Sequence, residues 1–133
     1  MFDWSSSFEA ALLIGIGAIL GSGMRMYLSK AFSVMFDGKY WGTFFVNITA
    51  AFFLGLFLAL NAPPGKLFLE NSSALFDVVC VGFLGSLSTF SSFIGDLLTY
   101  CLNNDWQKFF YLTLLSVCSG LLAVGIGVFL GNV

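Results

Sequence analysis

Histidine is absent from the 133 residues. That removes imidazole general acid–base chemistry, Ser-His-Asp triads and most transition-metal sites. Charge is scarce too. Only 9% of residues are charged, where a soluble domain carries about a quarter. Five Lys and Arg stand against seven Asp and Glu, for a net charge of −2. The basic residues form no cluster, so a nucleic-acid partner is not expected. The three cysteines, Cys80, Cys101 and Cys118, lie far apart in apolar runs with no CxxC pair. They read as small buried hydrophobes rather than a disulfide framework or zinc site. The two prolines, Pro63 and Pro64, fall together in one short polar stretch.

What is present is apolar. Hydrophobic residues make up 59% of the chain and aromatics 18%, with 17 phenylalanines. Such a chain has too little polar surface to cover a water-soluble globule, which places it in the membrane class. Four apolar runs, 8–28, 41–61, 74–102 and 106–130, each reach the span of about 20 residues needed to cross the hydrocarbon core. They predict an all-α integral membrane protein: one transmembrane domain over 1–133, with helices at 8–34, 41–61, 74–102 and 106–131. Trp41 and Trp106 open two runs, as interfacial anchors do. Polar stretches at 29–40, 62–73 and 103–105 leave no room for a soluble domain. The first run lacks the positive flank and small-residue cleavage site of a signal peptide. Lys30, Lys39, Lys108 and Arg25 fall on one side and Lys66 on the other, so positive-inside counting favours termini outside.

GIGAILG at 15–21 and GIGVFLG at 125–131 echo one another. Each places glycines at i and i+4 on one helix face, which allows close helix–helix approach. Neither is a dinucleotide fingerprint, since no βαβ context surrounds them.

Polar groups inside a membrane are costly and therefore informative. Asn47 lies within the second run; it reads as an interhelical hydrogen-bonding group or as a functional amide. Arg25 either snorkels to the interface or lines a positive vestibule that attracts anions. Asp77 and Asp96 lie near opposite ends of the third run, too far apart for a catalytic pair, and Asp96 could face a water-filled entrance. The densest polar stretch is GFLGSLSTFSSF, 82–93. Ser86, Ser88, Thr89, Ser91 and Ser92 come almost together after Gly82 and Gly85. Hydroxyls can bond their own helix carbonyls and leave the helix intact. They can also favour a break, which survives at membrane depth only where protein or a water-lined cavity satisfies the backbone. Carbonyls freed there suit a small hard cation. Phe90 and Phe93, at i and i+3, share a face. Their rings read as packing, or as positive edges turned toward an anion with hydroxyl and amide donors beside them.

These residues resemble the Fluc family of fluoride channels, also called CrcB. The resemblance rests on Gly21 to Arg25 (G-x-x-x-R), on Gly42, Thr43, Val46 and Asn47 (G-T-x-x-V-N), and on Gly82 to Phe93 (G-F-x-G-x-x-S-T-F-S-x-F). It covers almost the whole chain. Gly85-Ser86 stands where many members have Gly-Gly, and Ser92 where many have Thr. The resemblance implies an antiparallel, dual-topology homodimer of four-helix subunits with the third helix broken near its middle. It implies two fluoride pores at the interface and a structural sodium ion at the dimer centre, on the main-chain carbonyls of Gly85 and Ser88. The fluoride pathway then maps to Asn47, Phe90, Phe93, Ser91, Ser92 and, on the fourth helix, Ser116, where members often carry Tyr or His. Arg25 and Asp96 map to the vestibule. The Lys/Arg bias noted above runs against antiparallel insertion, which rests on the resemblance alone.

The expectation is a passive fluoride-selective channel in the cell inner (plasma) membrane that exports cytoplasmic fluoride and is not an enzyme. A small dual-topology, proton-coupled exporter is the rival. It would need an ionisable residue near a helix centre, and Glu9 sits at a helix end. A structural membrane subunit would leave the polar cluster of the third run without a role.

Overall fold

The computed structural model describes residues 4–36, 39–61 and 77–132. Asp37, the stretch 62–73 with Pro63, Pro64 and Lys66, and the start of the third run at 74–76 lie outside the described residues. All regular structure among the described residues is helical: α1 (Trp4–Met35), α2 (Lys39–Asn61), α3 (Asp77–Leu84), α4 (Gly85–Leu87), α5 (Phe90–Leu102) and α6 (Trp106–Gly131). Among the described residues, four segments are long and apolar enough to cross a membrane: Ser7–Met35, Tyr40–Leu60, Val78–Leu102 and Trp106–Gly131. The third combines α3, α4 and α5. Helix α1 has 32 residues, about 48 Å at 1.5 Å per residue. It outruns a hydrocarbon core of about 30 Å, so the polar stretch from Ser29 to Met35 continues the helix rather than opening a loop.

The helices pair as α1 with α3 and α2 with α6, with α1 also against α2. Glycine sets the first two contacts. A Cβ at Gly17 would meet the Val78 carbonyl oxygen, one at Gly21 the Phe83 carbonyl oxygen and the Ser86 hydroxyl. On the other pair, a Cβ at Gly127 would meet the Phe52 carbonyl oxygen, and one at Gly55 the Val124 carbonyl oxygen. The i, i+4 glycine faces of the two echoed motifs are thus the faces that bring backbones together. Gly15 and Gly125, the remaining glycines of those motifs, meet nothing within 4 Å. Helix α3 is wound as a π-helix over its eight residues, a geometry that occurs mostly in short pieces near functional sites.

The core is a small cluster of Val46, Ala50, Cys80, Leu84 and Leu87, joined by Leu28, Phe32 and Phe57 among others. The outer faces are apolar, as lipid contact requires; Leu114, Leu121, Leu122 and Phe129 of α6 are all exposed. The cysteines divide. Cys80 is buried, Cys101 is half-buried and Cys118 is exposed, which corrects the expectation that all three are interior. Cys118 lies on the stretch of α6 that also exposes Leu114 and Val117.

The turn after α5 closes tightly. Asp105 N–H donates to the Tyr100 carbonyl at 2.9 Å and Asn104 N–H to that of Cys101 at 3.1 Å, the two bonds of a Schellman motif. Asn104 holds the left-handed position, with φ of 56°. Asp105 then takes the Lys108 ammonium at 3.0 Å. Asn104→Gly should keep stability, while Asn104→Val should lose about 1–2 kcal/mol, because a β-branched residue is strained at positive φ; thermal unfolding in detergent measures the difference.

Candidate permeation site

The polar stretch of the third crossing is held by a side chain from the second. Ser88 (φ −71°, ψ 150°) and Thr89 (φ −144°, ψ 122°) are extended. They separate α4 from α5 near the middle of the span Val78–Leu102. In a continuous helix the Thr89 N–H would return to the Gly85 carbonyl. Here it donates to Asn47 Oδ1 at 2.8 Å. Asn47 Nδ2 donates in turn to the Thr89 carbonyl at 3.1 Å. The Ser92 N–H, which would return to Ser88, donates instead to Thr89 Oγ1 at 3.4 Å and so caps α5. Thr89 Oγ1 also pairs with Ser91 Oγ at 3.2 Å. Thr89 is only 8% exposed, so protein groups rather than water must satisfy it.

The other hydroxyls have separate uses. Ser86 Oγ donates to the Phe83 carbonyl at 3.1 Å, the back-bonded arrangement of an intact helical turn. Ser88 Oγ donates to the Gly85 carbonyl at 3.3 Å. Ser88, Thr89, Asn47, Phe90 and Phe93 line an open recess of about 180 Å³. The two rings lie 6.4 Å apart, tilted by 48°. Phe93 is half-buried, while Phe90 is 75% exposed and projects from the subunit.

Two larger polar clefts adjoin. One, about 610 Å³, is lined by Arg25, Lys30, Ser29, Thr43, Thr89 and Ser92 among others. The second, about 510 Å³, is lined by Asp96 with Tyr40 and Tyr100, and shares Ser29, Thr43 and Ser92 with the first. Arg25 and Asp96, the latter near the middle of α5, therefore line two clefts joined by Ser29, Thr43 and Ser92. Ser91 and Ser92 reach this ensemble through Thr89 and the clefts. Ser116 does not line any of these three cavities; it is half-buried on α6, where its carbonyl accepts the Ser119 hydroxyl at 3.3 Å. Gly85 is exposed, and a Cβ there would meet only the Cys80 carbonyl at 3.6 Å. A side chain at Gly85 is thus compatible with the subunit itself.

Sequence reasoning gave no separate role to Thr89, Thr43 or Ser29. Thr43 is 7% exposed and lies one helical turn before Asn47. That i, i+4 spacing inside G-T-x-x-V-N, together with the T of S-T-F-S, was the available signal.

Among the described residues, four bilayer-length apolar segments, the third interrupted beside a recess that Asn47 of α2 also lines, define a multi-pass integral membrane protein with a polar site at membrane depth. Residues 12–128 match the family described as CrcB-like protein, Camphor Resistance (CrcB), and the chain belongs to that family. It is 43% identical over 132 residues to a Prochlorococcus marinus (strain MIT 9313) protein named Fluoride-specific ion channel FluC 1, covering 99% of each chain. A Synechococcus protein (strain CC9902) of the same name is 43% identical over 121 residues, covering 91% of this chain and 92% of that one. Fluoride-specific ion channel FluC of Campylobacter lari is 33% identical over 117 residues, covering 87% and 92%.

Proposed function

We propose that the chain forms a passive, fluoride-selective channel in the plasma membrane that drains fluoride from the cytoplasm. The names of its relatives support fluoride as the ion. The observation that carries the mechanism is the recess at the interruption. Two phenyl rings, an amide and hydroxyls line it, and no titratable side chain does. A fixed cation there would trap a small anion. Ring edges, which carry partial positive charge, with amide and hydroxyl donors can replace lost water without holding the ion too tightly. The rival proton-coupled exporter needs an ionisable group at this depth, and the recess supplies none.

The pathway runs from the Arg25 and Asp96 clefts past Ser92 and Ser91 to Asn47, Phe90 and Phe93. Ser116 of α6 would enter from the facing copy. A single subunit leaves Phe90 outside and the recess open on one side. An antiparallel homodimer would close it and give two pores. Sodium suits the interruption: Thr89 and Ser92 have both turned their N–H groups away from the Gly85 and Ser88 carbonyls. Uncharged carbonyl oxygens are the donors that a hard cation accepts. Two per subunit make four in a dimer, and a bound sodium would neutralise their dipoles at the centre. Export needs no chemical fuel. Acid outside lets HF diffuse in and dissociate, and an inside-negative potential then drives the anion out with about 2.3 kcal/mol per charge per 100 mV.

Liposomes holding purified protein should lose fluoride, and not chloride, once a potassium ionophore clamps the voltage. Chloride-electrode traces showing a chloride leak equal to the fluoride-electrode signal would remove selectivity. Flux that requires a proton gradient would favour the exporter.

A further inference from the structure

We infer that Asn47 is the positioning residue of the interruption. Its carboxamide stands in for a peptide group and keeps the Gly85 carbonyl out of the helical ladder. The inference rests on the sodium reading above for its consequence, though not for its geometry.

An extended residue inside an apolar helical bundle has two backbone groups to satisfy. Thr89 has both satisfied by one side chain 42 residues away: Asn47 Oδ1 receives its N–H at 2.8 Å and Asn47 Nδ2 donates to its carbonyl at 3.1 Å. Few side chains can do this, because the partner must present a donor and an acceptor in one plane, as Asn and Gln amides do. The clamp is mounted rigidly. Asn47 follows Val46, whose exposure is 0%, on the helix that packs along α6. Removing the acceptor would let the Thr89 N–H return to Gly85, continue α4 into α5, and swing Phe90 and Phe93 to a new bearing. One side chain on α2 therefore sets both the cation-facing carbonyl and the direction of the phenyl pair. The amide retains one further N–H, so a direct contact with the permeating anion is compatible with the clamp.

The two roles separate by experiment. Sodium is titrated against N-methylglucamine into purified dimer, reading thermal unfolding, and into proteoliposomes, reading fluoride efflux. For the wild type both should rise with one sodium midpoint. Asn47→Ala should move that midpoint up by roughly tenfold or more, the usual scale for loss of a residue that orients a metal ligand. Asn47→Gln keeps both a donor and an acceptor for Thr89 and should hold the midpoint closer to wild type than Asn47→Ala does. An Asn47→Ala protein with an unchanged midpoint and merely lower maximal flux would make Asn47 a simple pore donor and overturn the clamp. If Asn47→Ala does not assemble, Asn47→Gln decides: a midpoint weakened as far as tenfold overturns the inference. A wild type indifferent to sodium removes the sodium reading only. The clamp is then judged from the structure of Asn47→Ala, where a helix continuous through 85–92 supports it and an unchanged Ser88–Thr89 interruption sinks it.

Discussion

Phe90→Ile and Phe93→Ile should each lower fluoride efflux by about tenfold or more at equal reconstituted protein, the rate equivalent of about 1.4 kcal/mol. Isoleucine keeps much of the apolar volume and loses the ring quadrupole, which contributes about 0.5–1.5 kcal/mol in aromatic contacts within proteins and would face a poorly solvated anion in the proposed pathway. Folding cannot account for the loss at Phe90. Its ring is 75% exposed in the subunit, so little packing within the subunit is lost. Phe52 and Phe53 serve as controls. Their rings meet edge-on, 5.3 Å apart on α2, and neither lines the recess beside Asn47. Their isoleucine variants should pass fluoride at near wild-type rates. Wild-type flux in both Phe90→Ile and Phe93→Ile would reduce these rings to packing residues.

The second large effect is expected at Gly127, with opposite signs two residues apart. In an open stretch of helix, Gly→Ala gains up to about 1 kcal/mol from propensity. Gly125 is such a position, with nothing within 4 Å of a Cβ built there. At Gly127 the same methyl would meet the Phe52 carbonyl oxygen and the Leu56 backbone nitrogen. Backbone cannot move aside as a side chain can, so α6 would have to lift from α2. Gly127→Ala should cost about 1–3 kcal/mol, the usual penalty of overpacking, and Gly127→Val should abolish the monodisperse peak in gel filtration. Gly125→Ala should unfold at or slightly above the wild-type temperature. Equal behaviour of the two alanine variants would mean that α2 and α6 do not approach through Gly127.

The spans were legible because bilayer crossing is a one-dimensional requirement. About 20 apolar residues suffice wherever they occur, and Trp41 and Trp106 mark where two crossings begin. Glycine spacing was legible for a related reason: 3.6 residues per turn places Gly17 with Gly21, and Gly127 with Gly131, on single faces whatever the neighbour is. The partners of those faces were not. Nothing in GIGAILG says that it meets Val78 and Phe83 rather than α6, and the exposure of Cys118 follows from the same choice of neighbours.

At the candidate site, residue types and rough position were readable and their assignments were not. Composition and local period by themselves determined a four-span helical membrane protein with a polar stretch at 82–93, a lone amide at Asn47 and two phenylalanines sharing a face, since each of these depends on neighbours in the chain. Only the tertiary structure decided that Asn47 is bonded to Thr89 through both ends of its amide, that Ser86 is back-bonded while the Gly85 carbonyl loses its helical partner, and that Ser29, Thr43 and Ser92 join the Arg25 and Asp96 clefts. The physical reason is that a backbone hydrogen bond inside a bilayer must be replaced wherever it is broken. The replacement is chosen by which side chain from another helix lies within about 3 Å, a matter of packing between residues 42 positions apart.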